Sequence, residues 1–316
     1  MSRAVEFGGP AAAAPHVVDV DLAAPGPGEV RVTVRAAGIT GAPPATARPL
    51  PPATALLYPG AFPGGGSDFA GVVTALGRGV EDVQVGDEVL GFSDTLAGQA
   101  DAVVVPAGHV VRKPADLSWE VAGSLCVAGA AASACVHAAG VRDGDTVVVA
   151  GACTDVGSFV VQLARLCGAR VIGVAAPEHH DWLLAHGMDA VGPAGPEGEP
   201  AADLARRLAA AAPEGVDAFV DTLGGSGADV ADALGVPAHR TVTTVAAGAG
   251  DGRDVGGGLV VVGGPVAQDV LAELAELVAT GRLQVPIAGT YPLESVREAY
   301  ADVDEHHPLG RVVLLP

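Results

Sequence analysis

A chain of 316 residues with 49% hydrophobic content is long enough to bury a full core, and its length predicts about two domains. The formal net charge of -20 excludes a nucleic-acid partner, because binding to a phosphate backbone needs clustered Lys and Arg, and the single lysine, Lys113, leaves little scope for Schiff-base chemistry. The first residues hold no apolar segment of signal-peptide length and no run reaches the roughly 18 apolar residues that span a bilayer, so we expect a cytoplasmic protein without membrane association.

The first 120 residues predict a β domain. Short apolar runs such as VRVTVRAAG, GVVTAL and DAVVVPAG are bounded by Gly, Pro and Asp, which is typical of strands. A stretch rich in Pro, Gly and Ala, residues 41 to 66, interrupts them. A loop of this length in a compact domain is usually functional or mobile. Because it carries Leu56, Leu57, Tyr58 and Phe62 and little charge, we expect it to cover an apolar small-molecule substrate.

From about residue 120 the pattern changes to alternating strand and helix, which indicates a parallel α/β sheet. TVVVAG predicts a buried strand, VGSFVVQLARLCG a helix, RVIGVAA a second strand, HHDWLLAHG a short helix and VDAFVDTLGG a further strand. The later segment QDVLAELAELVATG predicts an amphipathic helix with one apolar face.

Four segments in this order carry a resemblance to a known family. They are GGSDFAGVVTALGRGVEDVQVGDEVLGF, GDTVVVAGACTDVGSFVVQLARLCGARVIGV, GVDAFVDTLGG and TYPLESVREAYADVDEHHPLGRVVL. Over nearly its whole length the chain resembles the medium-chain dehydrogenase/reductase superfamily, in its zinc-free quinone-oxidoreductase branch. The resemblance implies an α/β fold class with two domains: a GroES-like β domain formed by residues 1–122 and 287–316, and a Rossmann domain with a doubly wound parallel sheet at 123–286.

The residue types argue against a metal site. Members of the superfamily that use zinc hold it with Cys and His or Glu of the first domain, but the first 125 residues here contain no Cys, and His16 and His109 are isolated. The four cysteines form no C-x-x-C pair, so we expect a metal-free protein in which they pack as small apolar side chains. Asp68 and Asp87, in the segments GSD and GDEV, are expected to cap local backbone N–H groups.

The segment implied to bind the cofactor departs from the family pattern. In a Rossmann turn, glycines let the backbone and the helix N-terminus approach a pyrophosphate. Members of the branch typically read A-x-G-G-V-G. The corresponding residues are Ala152, Cys153, Thr154, Asp155, Val156 and Gly157. Thr154 adds a side chain, and Asp155 adds a like charge that, ~4 Å from a phosphate at an effective dielectric of ~20, costs up to about 4 kcal/mol. Alternatively, Thr154 offers its hydroxyl to the phosphate while Asp155 turns outward and caps the helix.

Other positions that the resemblance implies to contact the cofactor also agree only in part with the family pattern. After the second strand, Glu178 is placed to bind a ribose, and His179 falls near where related NADP enzymes carry a lysine. At two positions where relatives contact the nicotinamide, Thr40 stands in place of the usual Asn, and Ala131 stands in place of the usual Thr. We expect NADPH as the cofactor, with NADH as the alternative, and with binding either retained, weakened or lost.

Three functions remain open from the residues. The first is an NAD(P)H-dependent reductase of an apolar activated alkene or quinone with an atypical cofactor turn. The second is a non-redox isomerase, cyclase or lyase of secondary metabolism on the same fold, and the third is a non-catalytic binding protein. If hydride transfer occurs, Tyr58, one of three tyrosines, is the first candidate for proton donor and Thr40 the second.

The segment GGGLVVVGG, residues 256 to 264, predicts a short apolar strand late in the Rossmann domain. An unpaired edge of that kind favours aggregation, and the resemblance implies that it pairs with a second copy in a homodimer. The alternative is an interior strand of the same sheet.

Overall fold

The computed structural model describes residues 2–7, 14–39, 65–193, 201–224, 226–244, 258–259, 266–306 and 309–316. The chain divides into two compact units. The first unit consists of residues 1–130 and 263–316, and the second of residues 131–262. The candidate proton donors Tyr58 and Thr40 lie outside the described residues, as does most of the loop 41–66. In the part of the chain that is described, no helix is both long and apolar enough to span a bilayer.

As the sequence predicts, the described segments up to residue 112 are mainly strands, and strands and helices alternate later in the chain. The strands are β1 (Ser2–Glu6), β2 (His16–Val20), β3 (Glu29–Gly38), β4 (Asp68–Leu76), β5 (Glu88–Phe92), β6 (Ala102–Pro106), β7 (Val110–Arg112), β8 (Thr146–Ala150), β9 (Arg170–Val174), β10 (Asp189–Val191), β11 (Ala218–Asp221), β12 (Thr241–Thr243), β13 (Gly258–Leu259), β14 (Ile287–Pro292) and β15 (Arg311–Leu315). The α-helices are α1 (Trp119–Ala122), α2 (Cys126–Ala138), α3 (Gly157–Leu166), α4 (His180–Ala185), α5 (Ala201–Ala211), α6 (Gly227–Ala233), α7 (Gln268–Ala279) and α8 (Val296–His306).

The first unit is built on a seven-stranded sheet in the order β14-β15-β3-β4-β5-β7, with β6 also paired to β3. Its pairs are antiparallel except β14 with β15. Along β3 the side chains alternate: Val30, Val32 and Val34 are buried, whereas Arg31 and Thr33 are partly exposed. This period of two is expected of a strand with one face on the core and one toward solvent.

The second unit contains a sheet of six parallel strands in the order β10-β9-β8-β11-β12-β13. Three consecutive residues of β8, Val147, Val148 and Val149, have no exposed surface. A continuous apolar run is expected here, because a parallel strand is covered on both faces. The α/β fold class that the sequence predicts, a β domain joined to a parallel-sheet domain, is confirmed.

Candidate cofactor site

The carboxyl ends of β8 and β11 lie side by side in the middle of the parallel sheet. The strand order reverses between them, since β9 and β10 extend from β8 to one side while β12 and β13 extend from β11 to the other. Doubly wound sheets bind ligands at such a reversal, outside the carboxyl ends of the strands. The turn 151–157 joins β8 to α3 at this point, so it occupies the expected place of a dinucleotide site.

Two glycines define the shape of this turn. Gly151 has a φ of +75°, which residues with a side chain rarely adopt, and a Cβ on it would lie 2.4 Å from Thr222 Oγ1. A Cβ on Gly157 would lie 1.9 Å from the carbonyl oxygen of Gly151. The start of α3 therefore packs directly against the turn. The close backbone approach of a Rossmann turn is kept although Thr154 and Asp155 stand where the family has glycines.

The Thr154 side chain lies inside the turn. Its Oγ1 accepts a hydrogen bond from the backbone N–H of Gly157 at 3.0 Å, lies 2.9 Å from the carbonyl oxygen of Gly151, and lies 2.9 Å from Thr222 Oγ1. Three protein groups thus surround the hydroxyl. This arrangement does not favour the hypothesis that Thr154 offers its hydroxyl to a phosphate, because the single hydroxyl proton already has an acceptor inside the turn.

Thr154 also caps α3. A residue that caps a helix accepts the first helical hydrogen bond with its carbonyl and bonds an N–H of the first turn with its side chain. The Thr154 carbonyl accepts from Ser158 N at 3.0 Å, and its Oγ1 accepts from Gly157 N. Val156, which directly precedes the helix, makes no side-chain cap. Thr154 thus makes the cap that the sequence-based alternative assigns to Asp155. Asp155 is partly exposed, and its carbonyl accepts from Ser158 Oγ at 3.2 Å.

Thr222 is part of the site and was not singled out in the sequence. It follows β11, and its Oγ1 lies 2.9 Å from the carbonyl oxygen of Ala150 and 3.1 Å from that of Gly151. Its backbone N–H donates to the Ala150 carbonyl at 3.0 Å. The signal that could have found it is a hydroxyl residue directly after a buried strand, since residues at the carboxyl ends of neighbouring parallel strands meet at one edge of the sheet.

Asp221, the residue before Thr222, has a buried carboxyl group. Asp221 is 5% exposed, and its Oδ1 accepts hydrogen bonds from the backbone N–H groups of Leu223 and Gly224, each at 2.9 Å. Burial raises the pKa of Asp221 above its ordinary value, and the two backbone donors partly offset this rise. The carboxyl group shapes the chain as it leaves β11, where Leu223 is left largely exposed beside the turn.

Three of the remaining predicted cofactor residues, Glu178, His179 and Ala131, lie outside the turn. Glu178 and His179 fall in a short 3-10 turn directly after β9, one strand away from the glycine turn; Glu178 is exposed and His179 partly exposed. A ring nitrogen of the next residue, His180, lies 2.9 Å from the carbonyl oxygen of Ala175 and holds this segment to the strand end. Within the turn, Ala152 is buried and Val156 partly exposed. Ala131 is a buried residue of α2.

The cysteines are not placed as metal ligands. Among the described residues, no group of three or more His, Cys, Asp or Glu side chains could hold a metal ion. Burial raises the pKa of Cys126 well above its ordinary value and those of Cys135 and Cys153 to about 12, so these thiols stay protonated at neutral pH, whereas metals bind thiolates.

Comparisons with known proteins agree with this architecture. Residues 26–115 match the model of the alcohol dehydrogenase GroES-like domain, and residues 198–314 match the model of the zinc-binding dehydrogenases. The quinone oxidoreductase from Coxiella burnetii superposes with a TM-score of 0.82 at 25% identity, covering 100% of this chain and 99% of that one. The CurK enoyl reductase superposes with a TM-score of 0.80 at 22% identity, covering 99% of each chain.

Curated relatives are much longer proteins. The spectinabilin polyketide synthase system protein NorB of Streptomyces orinoci is 30% identical over 310 residues, which are 93% of this chain and 13% of that protein. Polyketide synthase GfsB of Streptomyces halstedii is 36% identical over 163 residues, which are 51% of this chain and 3% of that protein. The chain thus spans only a small part of the length of the curated relatives it matches.

These matches, with a parallel sheet that carries a glycine-dependent turn at its point of reversal, define the class of protein. The chain belongs to the medium-chain dehydrogenase/reductase superfamily, as the sequence motifs predict.

Proposed function

We propose that the protein reduces a carbon–carbon double bond conjugated to a carbonyl group, with hydride from NADPH and without a metal ion. The observation that carries the proposal is the turn 151–157, whose glycine geometry at the carboxyl end of β8 is retained around Thr154. A superfamily oxidoreductase that keeps this turn keeps the means to hold a pyrophosphate.

The substrate class is supported by the relatives. Structural neighbours at 25% identity include quinone oxidoreductases, and curated relatives that match more than nine-tenths of this chain include polyketide synthases. A quinone and the enoyl group of a growing polyketide share one feature, an electron-poor alkene next to a carbonyl. An apolar compound with that feature fits the low charge of the segment around Tyr58.

The residues have separate roles in this proposal. Backbone N–H groups of the turn 151–157 hold the pyrophosphate, and Glu178 and His179 after β9 hold the adenosine ribose and its phosphate. When bound, the dinucleotide supplies a hydride. The chain then has to donate a proton to the enolate that forms, and Tyr58, followed by Thr40, remains the proposed donor.

One observation favours a non-redox alternative, an isomerase, cyclase or lyase on the same fold. The Gly157 N–H, which lies in the first turn of α3, donates to Thr154 Oγ1. In addition, Asp155 brings a negative charge to the same turn. The bond leaves one N–H donor fewer for a pyrophosphate and the charge repels it, and a protein that had lost the cofactor would have no reason to avoid either feature.

Titration with NADPH and NADH separates the two functions. We expect NADPH to quench the protein fluorescence and raise the melting temperature, because a ligand that binds only the folded state stabilises it. Oxidation of NADPH should then depend on an added quinone or enoyl thioester. Absence of binding by both dinucleotides would reject the reductase in favour of the alternative.

A matched pair of glycine variants tests whether binding uses the turn. Gly157→Ala places a Cβ against the Gly151 carbonyl and should abolish NADPH binding. Gly192→Ala, in the same unit, meets only Arg207 at an ordinary 3.6 Å and should bind NADPH as the parent does. Equal binding by both variants would place the dinucleotide elsewhere.

We also propose a homodimer, formed along the sheet edge that begins at β13. β13 pairs with β12 and ends the strand order within the described residues. Light scattering should give twice the mass of one chain. Elemental analysis of protein purified without chelators should show substoichiometric zinc, and stoichiometric zinc would contradict the metal-independent mechanism.

A further inference from the structure

We propose that Thr154 and Thr222 act together as positioning residues that replace the missing glycines of the turn. Their hydroxyl groups form one chain of hydrogen bonds that holds the turn 151–157 in the shape a dinucleotide needs. The inference rests on the proposed function for its ligand, but the hydroxyl chain itself is a property of the folded protein and can be measured without any ligand.

The distances between these groups are compatible with a chain of hydrogen bonds in which each hydroxyl donates its proton to the next acceptor. The Gly157 N–H donates to Thr154 Oγ1 at 3.0 Å, the Thr154 hydroxyl donates to Thr222 Oγ1 at 2.9 Å, and the Thr222 hydroxyl donates to the Ala150 carbonyl at 2.9 Å. Each hydroxyl gives its single proton and accepts one bond, as its chemistry allows. The chain therefore joins the first turn of α3 to the last residue of β8 through the residue that follows β11.

Packing around Gly151 shows where the side chains of Thr154 and Thr222 lie inside the turn. A Cβ on Gly151 would meet Thr222 Oγ1 at 2.4 Å and the Thr154 methyl carbon at 3.1 Å. The two threonines thus fill the concave side of the turn, on which Gly151 leaves room. With the Thr154 side chain turned inward, the backbone of the turn is left to face outward, as it does where glycine occupies this position.

Coupling between the two residues follows from the chain. Loss of either hydroxyl removes the link between Thr154 and Thr222, so the two losses share one hydrogen bond and together should cost less than their sum. A turn with glycine at position 154 has no such link, because it needs no inward hydroxyl to make room for a phosphate. The effect of Thr222 on binding should therefore depend on which residue occupies position 154.

The experiment is a set of variants: Thr154→Val, Thr222→Val, both together, Thr154→Ser, Thr154→Gly, and Thr154→Gly with Thr222→Val. We expect each valine variant to weaken NADPH binding about tenfold, and the double variant to be weakened by less than the roughly hundredfold that two independent losses would give. Thr154→Ser keeps the hydroxyl and should bind as the parent does. Thr154→Gly should also retain binding, and adding Thr222→Val to it should change little.

The matched control is Thr241→Val. Thr241 begins β12, at the opposite end of the sheet, and its Oγ1 makes only a 3.4 Å contact with the Pro237 carbonyl. It should leave NADPH binding unchanged. Additive effects of the two valine substitutions, or the same loss in Thr241→Val, would overturn the inference.

Urea unfolding of the same variants without ligand gives the second readout. We expect the two valine substitutions to destabilise the protein non-additively, since they break one chain. If the parent binds neither dinucleotide, the proposed function fails, and this unfolding cycle alone judges the hydroxyl chain: additive losses reject it and coupled losses support it.

Discussion

The two units bury polar side chains in different places. In the first unit the buried polar residues are spread over strands and the segments that connect them. They are Ser2, Asp68, Ser93, Gln99, Lys113, Ser124 and Arg311. In the second unit the described residues of this kind are Ser158, Gln162 and Asp221, and all belong to α3 or to the end of β11, at one edge of the sheet.

The buried groups of the first unit join distant parts of the chain. Arg311 at the start of β15 lies 3.8 Å from Asp68 at the start of β4, and Asp68 also accepts a hydrogen bond from Val127 N at 2.9 Å. Gln99 donates to the Gly38 carbonyl and accepts from the Tyr300 hydroxyl at 3.0 Å. These contacts connect strands and helices that hairpin connections alone do not bring together.

The second unit has little use for such connections. Its central strands β8 and β11 are apolar runs covered on both faces, and the buried polar side chains described for this unit lie in α3 and at the end of β11. Thr222, Asp221 and the turn 151–157 collect there. The comparison indicates that buried polar groups join distant segments in the first unit, whereas Asp221 and Ser158 of the second unit lie next to the proposed cofactor turn.

The largest expected effect is in the first unit. Arg311→Met should lower the free energy of unfolding by about 3–5 kcal/mol, because it leaves Asp68 as a buried charge without its cation. Urea unfolding measures it. Arg170→Met is the control, since Arg170 and Asp189 form an ion pair with both side chains about half exposed, and the loss should be below about 1 kcal/mol. Equal losses would contradict a structural role for the buried pair.

A smaller loss is expected at the buried amide. Gln99→Leu should cost about 1–3 kcal/mol, because the Tyr300 hydroxyl and the Gly38 carbonyl each lose a buried partner. The exposed Gln84 offers a matched control, and Gln84→Leu should change the unfolding midpoint little. If Gln99→Leu proved neutral, the buried polar groups of the first unit would not be the connections described above.

At the ligand edge of the second unit, charge is expected to alter binding more than folding. Asp155→Asn removes the negative charge from the turn while keeping the side-chain shape, and should tighten NADPH binding about tenfold. Asp189→Asn, at the start of β10 and the opposite edge, should leave the dissociation constant unchanged. An unchanged constant in Asp155→Asn would show that the carboxylate does not face the pyrophosphate.

The smallest effect concerns acid stability at the amino-terminal edge of the same sheet. The Arg240 guanidinium, 2.5 Å from Asp145, holds the pKa of that carboxyl below its ordinary value of 3.8. The contact therefore stabilises the fold fully above that value, and its contribution is lost as the pH falls through and below it. Asp145→Asn should flatten the acid limb of a stability curve and leave NADPH binding unchanged; weakened binding would extend the ligand site beyond the carboxyl edge.

Much of the architecture was readable from the sequence. Alternating and continuous apolar runs predict the two kinds of sheet, because side-chain period follows directly from which faces are buried. Local caps are predictable because the two partners are close in the sequence. Asp87 was expected to cap its own turn, and it accepts a hydrogen bond from Gln84 N at 2.9 Å, which confirms that prediction. The position of the cofactor turn between β8 and α3 was also evident.

Tertiary structure decided the contacts between residues far apart in the chain. Asp68 was expected to cap a local turn, whereas the structure also brings it two partners from distant parts of the chain, Arg311 and the backbone N–H of Val127. Thr154 was expected either to crowd the phosphate or to bind it, yet it bonds Thr222, a residue of another strand end. A sequence specifies which side chains can form hydrogen bonds, whereas only strand order and register determine which of them meet.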